Sequence, residues 1–139
     1  MLASPVVLSL YRAVTDNDNR ERTGGARAWK KAGLDNLVQK ATFVESSAKG
    51  GKAKVELLNA EGRKVGTADF LYTLRKNGTL KVKTTFVPDT AVITSLARVG
   101  LAFEMPDTYN QVSYLGRGEH ETYADRNRSG RIGIYHTDA

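Results

Sequence analysis

Apolar and polar residues alternate along most of the chain from residue 37 onward, a pattern typical of strands with one buried face. In residues 52–58, for example, Ala53, Val55 and Leu57 alternate with charged residues. The same reasoning predicts strands over residues 6–11, 38–45, 52–58, 67–75, 79–87, 97–104, 111–115 and 132–136. Short strands separated by turn signals indicate an all-β chain, folded as an antiparallel β-sandwich.

One short helix is predicted near residues 26–33. Residues 26–32 contain good helix formers, and Gly33 can end the helix in a left-handed conformation. A helix of about two turns needs tertiary packing to be stable, and Trp29 is the side chain expected to provide it by packing against the sheet.

Asn77-Gly78 is the strongest hairpin signal of the sequence. A tight two-residue turn there would set Leu74 opposite Lys81, and a shift of one residue exchanges the two faces of a strand. A three-residue loop with a bulge at Gly78 instead pairs Leu74 with Leu80. We therefore predict the bulged loop, with Gly78 at positive φ.

Composition excludes several classes of protein. The 139 residues suit a single domain over residues 1–139, and the lack of cysteine excludes a disulfide scaffold, a thiolate metal site and a cysteine nucleophile. The net charge of +6 raises the possibility of nucleic-acid binding, but the basic residues are interleaved with acidic ones, so no nucleic-acid partner is predicted. No apolar run reaches the length of a membrane span, so no membrane partner is predicted. The start of the chain lacks the pattern of a signal peptide, and it is expected to lie within a larger polypeptide.

Asp16, Asn17 and Asp18 lie in a segment that is denser in polar groups than a strand connection requires. Such side chains could supply several oxygen ligands to a calcium ion. Arg20 and Arg22, however, stand where further ligands would be needed. The same residue types bond readily to their own backbone, so a cluster of turns is the preferred interpretation.

Residues 114–126 form a second dense polar segment. Glu119 and Glu121 would share one face of a strand with His120 between them, and could bind a metal or form an acid–base pair. Because no second histidine lies nearby, a network of ion pairs with the neighbouring arginines is preferred, and neither a metal nor a catalytic residue is predicted. The candidate structural residues are Trp29, Arg117, Glu119, His120, Glu121, Tyr123, Asp125 and Arg126.

Four blocks of the sequence resemble, in order, signatures of the small-chain region of family 2 β-galactosidases. Residues 11–18 (YRAVTDND) resemble R-A-P-T-D-N-D, and residues 28–34 (AWKKAGL) resemble W-K-x-A-G. Residues 98–101 (RVGL) match R-I-G-L, and residues 114–126 (YLGRGEHETYADR) resemble W-Y-G-R-G-P-H-E-N-Y-P-D-R. The departures from the family pattern include Glu119, which stands where the family usually has proline.

The resemblance implies part of an antiparallel super-sandwich of the galactose mutarotase-like type, within a larger bacterial enzyme. Whether that enzyme is cytoplasmic or periplasmic is not predicted. It implies that this parent enzyme hydrolyses terminal non-reducing β-D-galactose residues in β-galactosides with retention. The two glutamates that do so, about 5 Å apart, would lie on a separate TIM-like barrel. The isolated chain is therefore expected to be inactive and to scaffold the barrel. No cofactor is expected in these residues, whereas the parent enzyme is expected to use Mg²⁺ and a monovalent cation.

The resemblance also implies that the loop after the D-N-D motif lies near the rim of the active site. The candidate residues of this rim loop are Asp16, Asn17, Asp18, Asn19, Arg20 and Glu21. The first three are expected to fix its base, and residues 19–22 are expected to reach toward the sugar or the barrel. Loops held by a rigid sheet often shape pockets in this way.

The expected partners are the barrel and other domains of the parent chain, together with its galactoside substrate. Exposed strand edges predict self-association of the isolated chain. An alternative function is a freestanding carbohydrate-binding sandwich, which would require an exposed aromatic platform. Tyr109, Tyr114 and Tyr123 could supply such a platform.

Overall fold

The structure is a computed structural model that describes residues 2–20, 25–120, 122 and 127–138. The chain forms two compact units, a larger one of residues 6–102 and a smaller one of residues 1–5 and 103–139. A single domain over residues 1–139 stays a prediction. In the described part of the chain, no helix has the length and apolar character needed to cross a membrane.

The larger unit consists mainly of antiparallel strands. Its elements are β1 (Val7–Ser9), α1 (Ala26–Lys31), a 3₁₀ turn (Leu34–Asn36), β2 (Val38–Ser47), β3 (Gly50–Leu58), β4 (Lys64–Leu74), β5 (Leu80–Pro88) and β6 (Gly100–Ala102). Strands β2 to β5 form one sheet in chain order, and β1 pairs with β6. In the smaller unit, β7 (Gln111–Arg117) pairs with β8 (Ile132–Asp138). The predicted all-β, antiparallel sandwich with one short helix is confirmed.

The core of the larger unit lies on one face of its four-stranded sheet. Gln39 and Leu57 are directly opposite each other on that face. The side-chain amide of Gln39 bonds both backbone groups of Leu8, accepting from its N–H at 3.0 Å and donating to its carbonyl at 2.7 Å. These bonds hold β1 against the face. The buried apolar residues are Val6, Leu8, Leu10, Ala26, Trp29, Ala32, Leu34, Leu57, Val65, Ala68, Phe70 and Ile93.

The hairpin between β4 and β5 has the predicted bulged loop. Leu74 pairs with Leu80, and Gly78 has a φ of 81°. Arg75 donates its N–H to the carbonyl of Thr79 at 2.9 Å, and Gly78 donates to the carbonyl of Arg75 at 3.0 Å. The apolar residues of both strands therefore share one face, which confirms the register that was inferred from their alternation.

The first and sixth strands are shorter than predicted. The expected ranges were 6–11 and 97–104, whereas the ladder joins only Val7–Ser9 to Gly100–Ala102. A strand extends only as far as backbone partners are available, and these two strands pair with each other alone. The helix prediction is confirmed, since Gly33 follows α1 with a φ of 72°.

Candidate functional site

Arg12 and Asp18 form a bidentate ion pair at the base of the predicted rim loop. Arg12 donates from Nη1 to Oδ2 of Asp18 at 2.6 Å and from Nη2 to Oδ1 at 3.1 Å. The two side chains are only 19% and 13% exposed, respectively. A forked, charge-assisted pair that is largely shielded from water fixes geometry better than a typical surface ion pair does.

Thr15 forms two further hydrogen bonds to the Asp18 carboxylate. Its backbone N–H and its hydroxyl both donate to Oδ2 of Asp18, at 2.8 Å and 2.7 Å. The hydrogen bond from Arg12, followed by those from Thr15, holds the pKa of the Asp18 carboxyl well below its ordinary range. The carboxylate therefore stays charged and bound at neutral pH.

The described hydrogen bonds of the D-N-D motif are those of a cluster of turns. Asp18 donates its N–H to the carbonyl of Thr15 at 3.0 Å, and Asn19 donates to that of Asp16 at 3.3 Å. Both oxygens of Asp18 are already bonded to Arg12. Among the described residues, no group of three or more histidine, cysteine, aspartate or glutamate side chains could hold a metal ion.

Trp29 forms the wall behind this ion pair. The guanidinium carbon of Arg12 lies 5.4 Å from the centre of the indole ring, within the range of a cation–π contact. Trp29 is 5% exposed, and its Nε1 donates to Oγ of Ser95 at 3.1 Å. A Cβ added at Gly25 would lie 2.5 Å from the ring, so only glycine fits there. The expected burial of Trp29 is confirmed, and Arg12, Thr15, Asp18 and Trp29 are called the Arg12 clamp below.

A backbone hydrogen bond also links Asp18 of the Arg12 clamp to the start of α1. Ala26, the first residue of α1, donates its N–H to the carbonyl of Asp18 at 3.1 Å. The backbone on either side of residues 19–25 is therefore held together, while Asp16, Asn17, Asn19 and Arg20 are exposed. Glu21 lies outside the described residues.

Sequence reasoning did not include Arg12, Thr15 or Ser95 among the candidate site residues. The sequence does contain a feature that could have predicted the ion pair of Arg12, because the oppositely charged Asp18 follows six positions later. No comparable signal marks Ser95, which is distant from Trp29 in the sequence and meets it only through the fold.

The clamp makes the stability of the larger unit dependent on pH. Because the pKa of Asp18 is lowered by folding, the unfolded chain takes up the proton first as the pH falls. The stabilising contribution is complete above the ordinary carboxyl pKa of about 4 and is lost progressively below it. The thermal unfolding midpoint of the wild type should therefore exceed that of Asp18→Asn by a constant margin from about pH 5 to 7, and the margin should shrink below about pH 4.

The matched control for this measurement is Asp16→Asn. It removes the same charge from an exposed neighbour outside the clamp and should change the midpoint little. A margin between wild type and Asp18→Asn that stays constant down to about pH 2 would contradict the assignment.

Arg117, at the end of β7, forms hydrogen bonds to the turn that precedes β8. Its Nη1 donates to the backbone carbonyls of Asn127 and Gly130 at 2.8 Å and 2.9 Å. The described bonds of Arg117 are to these carbonyls. The expected ion-pair network of this segment stays a prediction, because Glu121, Asp125 and Arg126 lie outside the described residues. A guanidinium offers five donors, and turn carbonyls without strand partners are ready acceptors for them.

His120 and Glu119 continue this connection. The Nε2 of His120 lies 2.7 Å from Oγ of Ser129. Glu119 has a φ of 72°, which proline cannot adopt because its ring fixes φ near −65°. A proline at this position would therefore require a different backbone conformation. The other candidate residues of this segment, Glu121, Tyr123, Asp125 and Arg126, lie outside the described residues.

The comparison with known proteins covers the whole chain. Residues 1–139 match the family described as Beta galactosidase small chain. The chain is 29% identical to a β-galactosidase of Actinobacillus pleuropneumoniae, covering 100% of this chain and 14% of that protein. It is 28% identical to a β-galactosidase of Priestia megaterium, covering 97% of this chain and 13% of the relative. A β-galactosidase 2 of Enterobacter cloacae is 28% identical over 95% of this chain and 14% of its own length. The chain thus spans only a small part of the curated relatives that it matches.

Proposed function

The chain belongs to the β-galactosidase small-chain family, and from that premise we propose that it is a non-catalytic sandwich part of a β-galactosidase. The supporting observation is that the whole chain matches relatives of this name while covering only 13–14% of their length. In this proposal the parent enzyme hydrolyses terminal β-D-galactose residues with retention. The catalytic glutamates lie on another domain, and this chain scaffolds that domain.

The isolated chain is accordingly expected to show no turnover of o-nitrophenyl β-D-galactoside. Retaining hydrolysis needs a nucleophile and an acid/base carboxyl about 5 Å apart, and the proposal places both outside this chain. The assay uses purified chain at high concentration, with the vector-only preparation as its control. Turnover that copurifies with the chain and scales with its concentration would refute the proposal.

The rim loop extends this proposal to the active site of the parent enzyme. The Arg12 clamp supports it, because a loop can shape a pocket only if its ends are fixed on a rigid scaffold. In this proposal Asp16, Asn17 and Asp18 form the base of the loop, and the exposed Asn19 and Arg20 lie on the side of the sugar or the barrel. Asp18 would not be a ligand of the Mg²⁺ expected for the parent enzyme, since both of its carboxylate oxygens accept hydrogen bonds from Arg12.

We also propose that the isolated chain associates with itself through an exposed strand edge. Strand β2 lies at one edge of the four-stranded sheet, and Phe43 and Val44 on it are 48% and 67% exposed. Unpaired edges with exposed apolar residues favour strand pairing between copies. Sedimentation velocity should show dimers or larger species whose fraction rises with concentration, and Val44→Lys should shift the chain toward the monomer. A wild-type chain that stays monomeric at high concentration would contradict this proposal.

A freestanding carbohydrate-binding module remains the alternative. Tyr109 and Tyr114 are exposed, which an aromatic platform would require, whereas Trp29 is buried and bonded to Ser95. Titration calorimetry with lactose separates the two functions. Saturable binding by the isolated chain favours the module, and its absence favours the scaffold.

A further inference from the structure

The larger unit contains a hollow of about 420 Å³ whose charged lining residues are all cationic. The lining side chains include Arg27, Ala28, Lys31, Arg63, Val92 and Thr94. None of the described residues that line it is acidic. Arg27, Lys31 and Arg63, together with the space between them, are called the basic hollow below.

The first wall of the basic hollow is α1. Arg27 and Lys31 are four residues apart and therefore lie on the same face of this helix. Gly33, just beyond the helix, packs so closely on Asn59 that a Cβ at Gly33 would lie 2.7 Å from the Asn59 Cβ. The segment just after α1 therefore packs against the turn that follows β3.

The second wall is that turn, which carries Arg63. Asn59 is a buried polar residue at 7% exposure, and its Oδ1 accepts the N–H of Arg63 at 2.9 Å. Its own N–H donates to the carbonyl of Arg63 at 2.9 Å. Asn59 therefore holds both the backbone N–H and the backbone carbonyl of Arg63, the first through its side chain and the second through its own N–H.

The third wall is the segment after β5, which is held by Asp89. Asp89 donates its N–H to the carbonyl of Val65 at 2.9 Å and accepts the N–H of Ile93 at 2.8 Å through its own carbonyl. Its carboxylate Oδ1 accepts the N–H of Ala91 at 3.0 Å. This carboxylate therefore bonds to the backbone of its own turn.

Three cations from two fixed walls face one space, and none of them forms an ion pair with a described residue. The ion pairs of the described residues are Arg12–Asp18 and Lys64–Glu56. Like charges gathered on fixed walls repel one another until a ligand of opposite charge neutralises them. The arrangement therefore favours the binding of an anion with several acceptor oxygens.

We propose that the basic hollow binds a phosphomonoester dianion carried on a small organic group such as a sugar. A phosphomonoester brings nearly two negative charges and three strong acceptor oxygens, which suits two arginines and a lysine. The volume of about 420 Å³ leaves room for an attached group, since small-molecule sites begin near about 300 Å³. This site is separate from the role proposed above and does not depend on it.

The test is calorimetric titration of the chain with glucose 6-phosphate, with glucose and citrate as comparison ligands. Glucose 6-phosphate should bind saturably, glucose should not bind, and citrate should bind more weakly. Arg27→Gln and Arg63→Gln should each weaken glucose 6-phosphate binding by roughly tenfold, the effect of losing a charge-assisted hydrogen bond. Both side chains are exposed, so an unchanged thermal unfolding midpoint will verify that the variants fold.

Lys30→Gln is the matched control, because Lys30 lies on the same helix, carries the same charge and is not among the residues that line the hollow. It should change the affinity less than about twofold. The proposal is overturned if glucose 6-phosphate does not bind, or if Lys30→Gln weakens binding as much as Arg63→Gln does. Citrate that binds as tightly as glucose 6-phosphate would overturn the assignment to a phosphomonoester.

Discussion

Replacing Trp29 with alanine is expected to lower the free energy of unfolding of the larger unit by about 3–5 kcal/mol. Trp29 is 5% exposed, and its ring fills the space between Gly25 and the guanidinium of Arg12. Alanine would remove the ring, leave a cavity and remove the hydrogen bond to Oγ of Ser95. Since α1 has only six residues, it has little stability apart from this packing.

Urea unfolding followed by far-ultraviolet circular dichroism measures this loss, because the only tryptophan of the chain is the one removed. Trp29→Phe is the matched control. It keeps an aromatic ring against Arg12 and removes the N–H that bonds Ser95, so its loss should be smaller, about 1–3 kcal/mol. If Trp29→Ala costs less than about 1 kcal/mol, the ring does not hold the clamp in place.

The central sheet could be predicted from the sequence because its information is local. Leu74 and Leu80 lie on either side of one short turn, so alternation and the glycine at position 78 together define their register. The helix stop at Gly33 is equally local, since a left-handed residue after a helix is a property of glycine itself.

The long-range pairings could not be predicted in the same way. Strand β1 pairs with β6, which lies more than 90 residues later. The side-chain amide of Gln39 forms hydrogen bonds to the N–H and the carbonyl of Leu8, as the backbone of an adjacent strand would. The local pattern does not distinguish this glutamine from one on a solvent-exposed strand face. Its partners are backbone groups of Leu8, which only the tertiary fold brings close to it.

The bonding of the candidate site could not be predicted from the sequence, and its place at the rim of an active site stays a prediction. Asp18 was expected to form turns with its own backbone, which it does through Thr15. Its main partner, however, is the side chain of Arg12, which also lies against Trp29. The simultaneous contacts of Arg12 with Asp18 and Trp29 require a side-chain conformation that spacing in the sequence does not specify. For the same reason the bonds from Arg117 to the carbonyls of Asn127 and Gly130 could not be predicted.

In the proposed parent β-galactosidase, Arg12→Gln is expected to lower kcat/KM by about tenfold to a hundredfold, because it releases the base of the rim loop. Glutamine cannot form the forked pair with Asp18 or the cation–π contact with Trp29. Displacing positioning groups by about 1 Å can cost about a hundredfold in rate. Steady-state kinetics with a chromogenic galactoside would measure the loss, and Arg12→Lys should recover only part of it, since an ammonium keeps the charge without the fork.

Two further variants separate a loop effect from a general loss of stability. Lys64→Gln breaks the other described ion pair, Lys64–Glu56 at 2.8 Å, which lies on the sheet away from the loop and should leave kcat/KM unchanged. Arg20→Ala alters an exposed residue of the rim loop and leaves the clamp intact, so a rise in KM would indicate contact with the sugar or the barrel. If Arg12→Gln keeps wild-type kinetics while it lowers the unfolding midpoint, the clamp stabilises the sandwich and has no role at the active site.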